Sequence, residues 1–116
     1  MTTLDCIDLD DLTIVKLKGP LTSEELPQVE EPFSAVTRRP GARVVVDLTG
    51  VDIVTTPALS MFIAAANLAK QSGGEVVFTE ATPPVRDILR RLRLSSVLIT
   101  IPGLEEAITH VRAKCN

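Results

Sequence analysis

Hydrophobic and polar residues alternate over residues 12–18, with Thr13, Val15 and Leu17 on one face and Lys16 and Lys18 on the other. That period of two predicts a half-solvated strand. A segment around residues 6–9 can pair with it across the acidic Asp10-Asp11 turn, forming a hairpin. Gly19-Pro20 ends the strand, and Thr22 with Glu25 three residues on has the spacing of a capping box, so a helix is expected to begin there. Pro27 and Pro32 make that helix short, kinked or split, because an interior proline costs about 3 kcal/mol. Residues 43–48 form a nearly continuous apolar run between Pro40-Gly41 and Thr49-Gly50, the pattern of a central strand covered on both faces.

The period then changes. Leu59, Phe62, Ile63 and Ala66 recur at helical spacing, and Gly73-Gly74 closes a helix of about residues 57–72. Residues 75–79 predict a further strand. Pro84 opens a helix with Val85, Ile88, Leu89 and Leu92 facing inward, and residues 96–101 read as a short last strand. Pro102-Gly103 leads into a final helix with Leu104, Ala107, Ile108 and Val111 inside. The order β-β-α-β-α-β-α-β-α predicts an α/β fold: a mixed, mostly parallel sheet of four or five strands covered by about four helices.

Composition narrows the function more than the fold. The chain's 116 residues suit a single domain over 1–116, and 45% apolar with 23% charged residues is ordinary for a globular protein. The net charge is −3, and the aromatic residues are three Phe with no Tyr or Trp, so base stacking and phosphate contact have little to work with. No nucleic-acid partner is expected. One His and two Cys do not make a zinc site, and a Ser-His-Asp arrangement would have to recruit His110 near the end of the last helix. No catalytic residue, metal or cofactor is expected.

Asp5, Asp8, Asp10 and Asp11 crowd the beginning, where an export signal needs a basic start and an apolar run. The uncharged residues 53–69 are interrupted by Thr55, Thr56, Pro57, Ser60 and Asn67, short of a membrane span. The expected location is therefore cytoplasmic, without membrane insertion, and Cys6 and Cys115 are expected as reduced thiols. Charge is divided along the chain: residues 1–31 hold eight acids and two bases, residues 83–116 six bases and three acids. Arg86, Arg90, Arg91 and Arg93 concentrate on one short helix and its end, either a solvated face or a surface for an acidic partner. Asp47 and Asp52 flank the Thr49-Gly50 turn without forming a catalytic pair.

The turn before the second helix draws the remaining attention. Thr56 followed by Pro57 has the form of a helix start, with Thr as N-cap, its oxygen turned inward, and Pro at the first helical position. An anion site at that helix end is the alternative, but it has neither a glycine-rich cradle nor a lysine beside it. Beyond its inward face the helix also carries Met61, Ala64, Ala65 and Leu68, with Ser60, Asn67 and Gln71 as its uncharged polar positions. A helix apolar nearly all round is either buried or a docking surface.

The run Val45-Val46-Asp47-Leu48-Thr49-Gly50-Val51-Asp52-Ile53-Val54-Thr55-Thr56-Pro57-Ala58-Leu59 resembles the core motif of STAS domains, found in anti-sigma factor antagonists and in the cytoplasmic parts of sulphate transporters. Members read Asp-Leu-Ser, then a hydrophobic pair, then Asp-Ser-Ser-Gly-Leu. Gly19-Pro20-Leu21-Thr22, Gly73-Gly74-Glu75-Val76-Val77, Pro84-Val85, the Leu94 region and Leu104-Glu105-Glu106-Ala107 extend the similarity over nearly the whole chain. Aligned without gaps, Thr55 stands for the family's Asp, Thr56 for its first Ser, Pro57 for the Ser that is phosphorylated, and Ala58 for its Gly.

The resemblance implies a non-enzymatic module of the anti-sigma factor antagonist kind, within a partner-switching system whose partner is an anti-sigma factor that is also a serine kinase. It places the partner surface at Thr55, Thr56, Pro57, Ala58, Ser60, Met61, Ala64 and Leu68. Pro57 lacks a hydroxyl, so the usual phosphorylation switch is not expected, and Thr56 is the nearest candidate acceptor. Two alternatives remain: a STAS subunit of an ABC-type lipid transporter, in which Thr56 matches a functional Thr, and a domain sensing a small ligand or nucleotide at the helix start.

Overall fold

The structure, a computed structural model, describes residues 1–114, apart from the side chain of Lys114; Cys115 lies outside the described residues. Strands β1 (Thr3–Asp8) and β2 (Thr13–Lys18) are followed by helix α1 (Pro27–Thr37), strand β3 (Arg43–Gly50) and helix α2 (Thr56–Gln71). Strand β4 (Glu75–Thr79), helix α3 (Pro83–Arg91), a 3-10 turn (Leu94–Ser96), strand β5 (Ile99–Ile101) and helix α4 (Leu104–Lys114) complete the order. The strands form one sheet in the order β1-β2-β3-β4-β5, antiparallel between β1 and β2 and parallel elsewhere.

This order decides where the helices go. Right-handed crossovers that always step the same way along a sheet must all pass over one face. Accordingly α1, α2 and α3 bury Val29, Phe33, Leu59, Phe62, Val85 and Leu89 against Val44, Val46, Leu48, Val76 and Phe78. Helix α4 alone covers the other face, packing Ala107 and Val111 on Ile14, Val45 and Val77. The register explains the division: Ile14, Val45 and Val77 are neighbours across β2, β3 and β4, as are Val15, Val46 and Phe78 one residue later.

Five expectations change. Ile14, on the lysine face of β2, is buried rather than solvated, because α4 closes over that side. Thr22 Oγ1 accepts the Glu25 N–H at 3.3 Å, as a capping box requires, yet the bonds that follow make turns and the helix itself starts at Pro27. Pro32 lies within α1 without splitting it; its ring is on the exposed side, where water can satisfy the carbonyl it leaves free. Leu92 ends α3 and is 55% exposed, and the last strand begins at Ile99 instead of residue 96, because Ser96 belongs to the 3-10 turn.

Polar contacts hold α4 in place. Glu80, in left-handed backbone at φ 56°, accepts the Leu104 N–H on Oε2 at 3.3 Å. His110 Nε2 lies 3.1 Å from Glu75 Oε1, and Arg112 Nε donates to Asp11 Oδ2 at 2.7 Å. The Arg112 hydrogen bond holds the Asp11 carboxyl below the usual carboxylate range. At the helix-covered face, Gly74 passes so close to Ala42 that a Cβ there would overlap its carbonyl oxygen.

Val45 is fully buried between β2, β4 and α4. Val45→Asp puts an unpaired charge there at a cost of several kcal/mol, comparable with a small domain's whole stability. The variant is expected to lose its cooperative urea transition, followed by circular dichroism; a transition at the native midpoint would contradict the assigned core.

Candidate docking surface at the start of helix α2

The turn between β3 and α2 is built from the end of the most buried strand. Asp47 Oδ1 accepts the Thr49 N–H at 2.9 Å and also the Thr49 hydroxyl, an Asx turn that bends the chain as β3 leaves the sheet. The carboxylate is thereby occupied with local structure, while Asp52 is exposed further along the turn. Val54 forms a parallel bridge with Leu21, and the Leu21 N–H donates to Ile53 O at 2.8 Å. From the other side, Thr82 Oγ1 at the head of α3 donates to Val51 O at 2.7 Å.

Thr55 completes this clamp and corrects the cap assignment. It is Thr55, not Thr56, that occupies the N-cap, in extended backbone at φ −103° and ψ 169°. Its carbonyl accepts the Leu59 N–H at 3.0 Å, while its N–H (3.2 Å) and Oγ1 (2.7 Å) both donate to Leu21 O. The hydroxyl therefore ties two loops together instead of capping the helix. Thr56 and Pro57 follow in the first turn and are exposed.

The remaining candidates divide by helical phase. Ala58 is completely buried with Leu59, Phe62, Ala65 and Ala69, and so drops out of the proposed surface. Its methyl is core, where the family pattern has glycine. Ser60, Ala64 and Leu68 are exposed, Leu68 by 45%, and Met61 is half-buried against the core. Pro57, Ser60, Met61, Ala64 and Leu68 thus line one side of a groove of about 340 Å³ between α2 and α1. Its other wall is Glu30, Ser34, Thr37 and Arg38 of α1, over a floor of Phe33 and Ala65.

Sequence reading missed that second wall. Glu30, Ser34 and Arg38 are spaced four residues apart and share a helix face, but their spacing could not reveal what the face lies beside. It also missed Ile53, 51% exposed in the turn itself. The groove is rigidly backed: Phe33, Phe62 and Phe78, all the aromatic residues of the chain, stack from α1 through α2 to β4 with ring centroids 5.8 and 4.7 Å apart. Elsewhere the chemistry is sparse. Partial burial, then nearby Asp8, push the Cys6 thiol above its ordinary value and keep it protonated. Among the described residues, no group of three or more His, Cys, Asp or Glu side chains is placed to hold a metal ion, and no helix is long and apolar enough to cross a membrane.

A sheet stepping one way, three helices on one face and a single helix on the other, with a clamped turn opening α2, is the architecture of a STAS domain. A family model described as "Mlab, STAS domain" matches residues 8–100, and the chain belongs to the STAS-domain family. It is 30% identical over 80 residues to BtrV of Bordetella bronchiseptica, assigned as an anti-sigma factor antagonist, covering 69% of each chain. A crystal structure of an anti-sigma factor antagonist from Mycobacterium paratuberculosis superposes with a TM-score of 0.85 at 23% identity, over 97% of this chain and 95% of that one. The anti-sigma factor antagonist SpoIIAA in its unphosphorylated form gives a TM-score of 0.77 at 14% identity, over 96% and 97%. At such identities the structural likeness shows the fold.

Thr55→Val removes the hydroxyl bond but leaves the backbone bond to Leu21 O, so it is expected to cost about 1 kcal/mol. Differential scanning calorimetry should show a melting temperature lower by a few degrees, with Thr55→Ser near the native value. Equal melting temperatures for the Val variant and the native chain would mean that the clamp adds nothing.

Proposed function

We propose that this chain is a non-enzymatic, single-domain regulator acting in the cytoplasm as an anti-sigma factor antagonist within a partner-switching system. Its partner is a protein of the anti-sigma factor or serine kinase kind, which docks on the start of α2. The observation that carries this is the exposed row Pro57, Ser60, Ala64 and Leu68, presented by a turn clamped to Leu21 and Thr82, where the family pattern has its regulatory serine. The kinship with BtrV and the fold shared with other antagonists support the same reading. Thr55 supports the surface from beneath, and Met61 contributes its outer edge.

Clamping favours this role on energetic grounds. A turn already held in its bound shape does not lose loop entropy on association, so more of the buried apolar area appears as affinity. Ala64→Arg adds a long charged side chain at an exposed position and should leave the fold intact. Binding to the anti-sigma factor encoded in the same genome, measured by isothermal titration calorimetry, is expected to weaken at least tenfold, about 1.4 kcal/mol. The melting temperature is expected to change little. Unchanged affinity would move the docking surface elsewhere.

Docking in this chain is governed without the phosphoserine switch. In a phosphorylated relative the added charge meets a packed interface and repels the partner. Pro57, at the corresponding position, has nothing to phosphorylate. Thr56 is the hydroxyl to watch: its exposure in the first turn removes the inward cap that sequence suggested, leaving the stiff Pro57 backbone as the obstacle to a kinase. Intact-mass spectrometry after incubation with the cognate kinase and ATP is expected to show the unmodified mass. A stoichiometric phosphate mapped to Thr56 would show that the switch has moved by one residue.

A further inference from the structure

Strand β5 forms the other end of the sheet from β1, and among the described residues nothing pairs with its outer side. An open edge of this kind offers unpaired N–H and C=O groups to any extended chain laid along it. Short length and charge are the usual protections; β5 has only the first, and Val97 (43%) and Ile99 (37%) are exposed beside it.

Two hollows flank this edge. One, of about 80 Å³, lies at its beginning, where Val97 and Ile99 meet Ala66 and Lys70 of α2 and Glu75 and Val76 of β4. The other, of about 290 Å³, lies at its end, where Thr100 and Ile101 meet Phe78, Glu80 and Arg86. Each contains one acid and one base, but the acids are partly buried while the bases are exposed. Glu75 faces His110 at 3.1 Å, and Glu80 accepts the Leu104 N–H at 3.3 Å. Lys70 and Arg86 are exposed and stand outside the ion pairs formed among the described residues. The charge most exposed to a partner at both ends of β5 is therefore positive.

We propose that β5 is a second protein-binding site, which takes an extended acidic segment of a partner as an added strand. The segment's backbone pairs with the free side of β5. An aliphatic side chain enters the smaller hollow against Ala66, Val97 and Ile99, and carboxylates meet Lys70 at one end and Arg86 at the other. This site is separate from the α2 groove and stands whether or not that groove is the antagonist surface. Specificity comes from the charges and the hollow, because backbone pairing alone accepts any sequence.

The test uses the full chain, isotopically labelled, titrated with a short peptide carrying glutamate, valine and glutamate at successive alternate positions, which puts all three on one face of the added strand. Saturable amide shifts are expected at residues 97–101 and around Lys70 and Arg86. The double substitution Lys70→Glu and Arg86→Glu, at two exposed positions, is expected to weaken binding roughly tenfold or more. The same peptide with lysine for glutamate should not bind, and N-methylation on the edge-facing amides of the acidic peptide should abolish its binding. No saturation by about millimolar peptide would overturn the proposal. Shifts confined to the start of α2, or equal affinity for the doubly substituted chain, would also overturn it.

Discussion

Burial of β3 on both faces is the constraint on which the rest of the molecule depends. Val44, Val45, Val46 and Leu48 are each at most 1% exposed, so neither face of the strand can be left to water. The helices of the crossovers can supply only one cover, since all three pass over the same side. The second must come from α4, which explains why so many polar ties converge on that helix. Without Ala107 and Val111 in place, Ile14, Val45 and Val77 would form an open apolar face.

The crossover face is organised around a small aromatic column. With three phenylalanines available, the fold places all of them in one line, Phe33 on α1, Phe62 on α2 and Phe78 on β4, in tilted contacts that aromatic rings favour. The position of α2 relative to α1 follows from that line, and with it the groove between them. Small residues then decide how closely the layers approach. Ala58, Ala65 and Ala69 let α2 sit down on the sheet, and Gly74 lets the chain pass Ala42 as β4 begins.

The proposed docking surface is a consequence of this packing. Helix α2 buries one stripe in the core, and its phase leaves Pro57, Ser60, Ala64 and Leu68 outward. Its first turn cannot swing, because Leu21 holds Thr55 and Thr82 holds Val51. Both ties come from loops at the carboxyl ends of neighbouring strands, where α/β folds usually place their sites. The same economy of charge runs through the structure. Asp47, Asp11 and Glu80 are turned to structural work, and among the cations outside the described ion pairs Lys70 and Arg86 stand beside the far edge of the sheet.

Much of this was legible in the chain itself. The uninterrupted apolar run at residues 43–48, the helical spacing of Leu59, Phe62, Ile63 and Ala66, and the Gly73-Gly74 stop are local patterns, and local patterns report the period of the backbone directly. The Asp-Leu-Thr run and the Thr-Thr-Pro-Ala turn likewise marked the end of β3 and the start of α2. What needed tertiary structure was every question of which neighbour a residue meets. Two adjacent threonines have the same capping propensity, and only the distant carbonyl of Leu21 decided that Thr55 should be the one held. Ala58 and Ala64 look alike on a helix apolar nearly all round, but the sheet beneath α2 buried the first and left the second in water. Ile14 and Leu92 went against their local patterns for the same reason: α4 covered one, and α3 ended before the other could turn inward. Periodicity is a property of neighbours in sequence; burial depends on residues thirty or ninety positions away, and no window along the chain contains them.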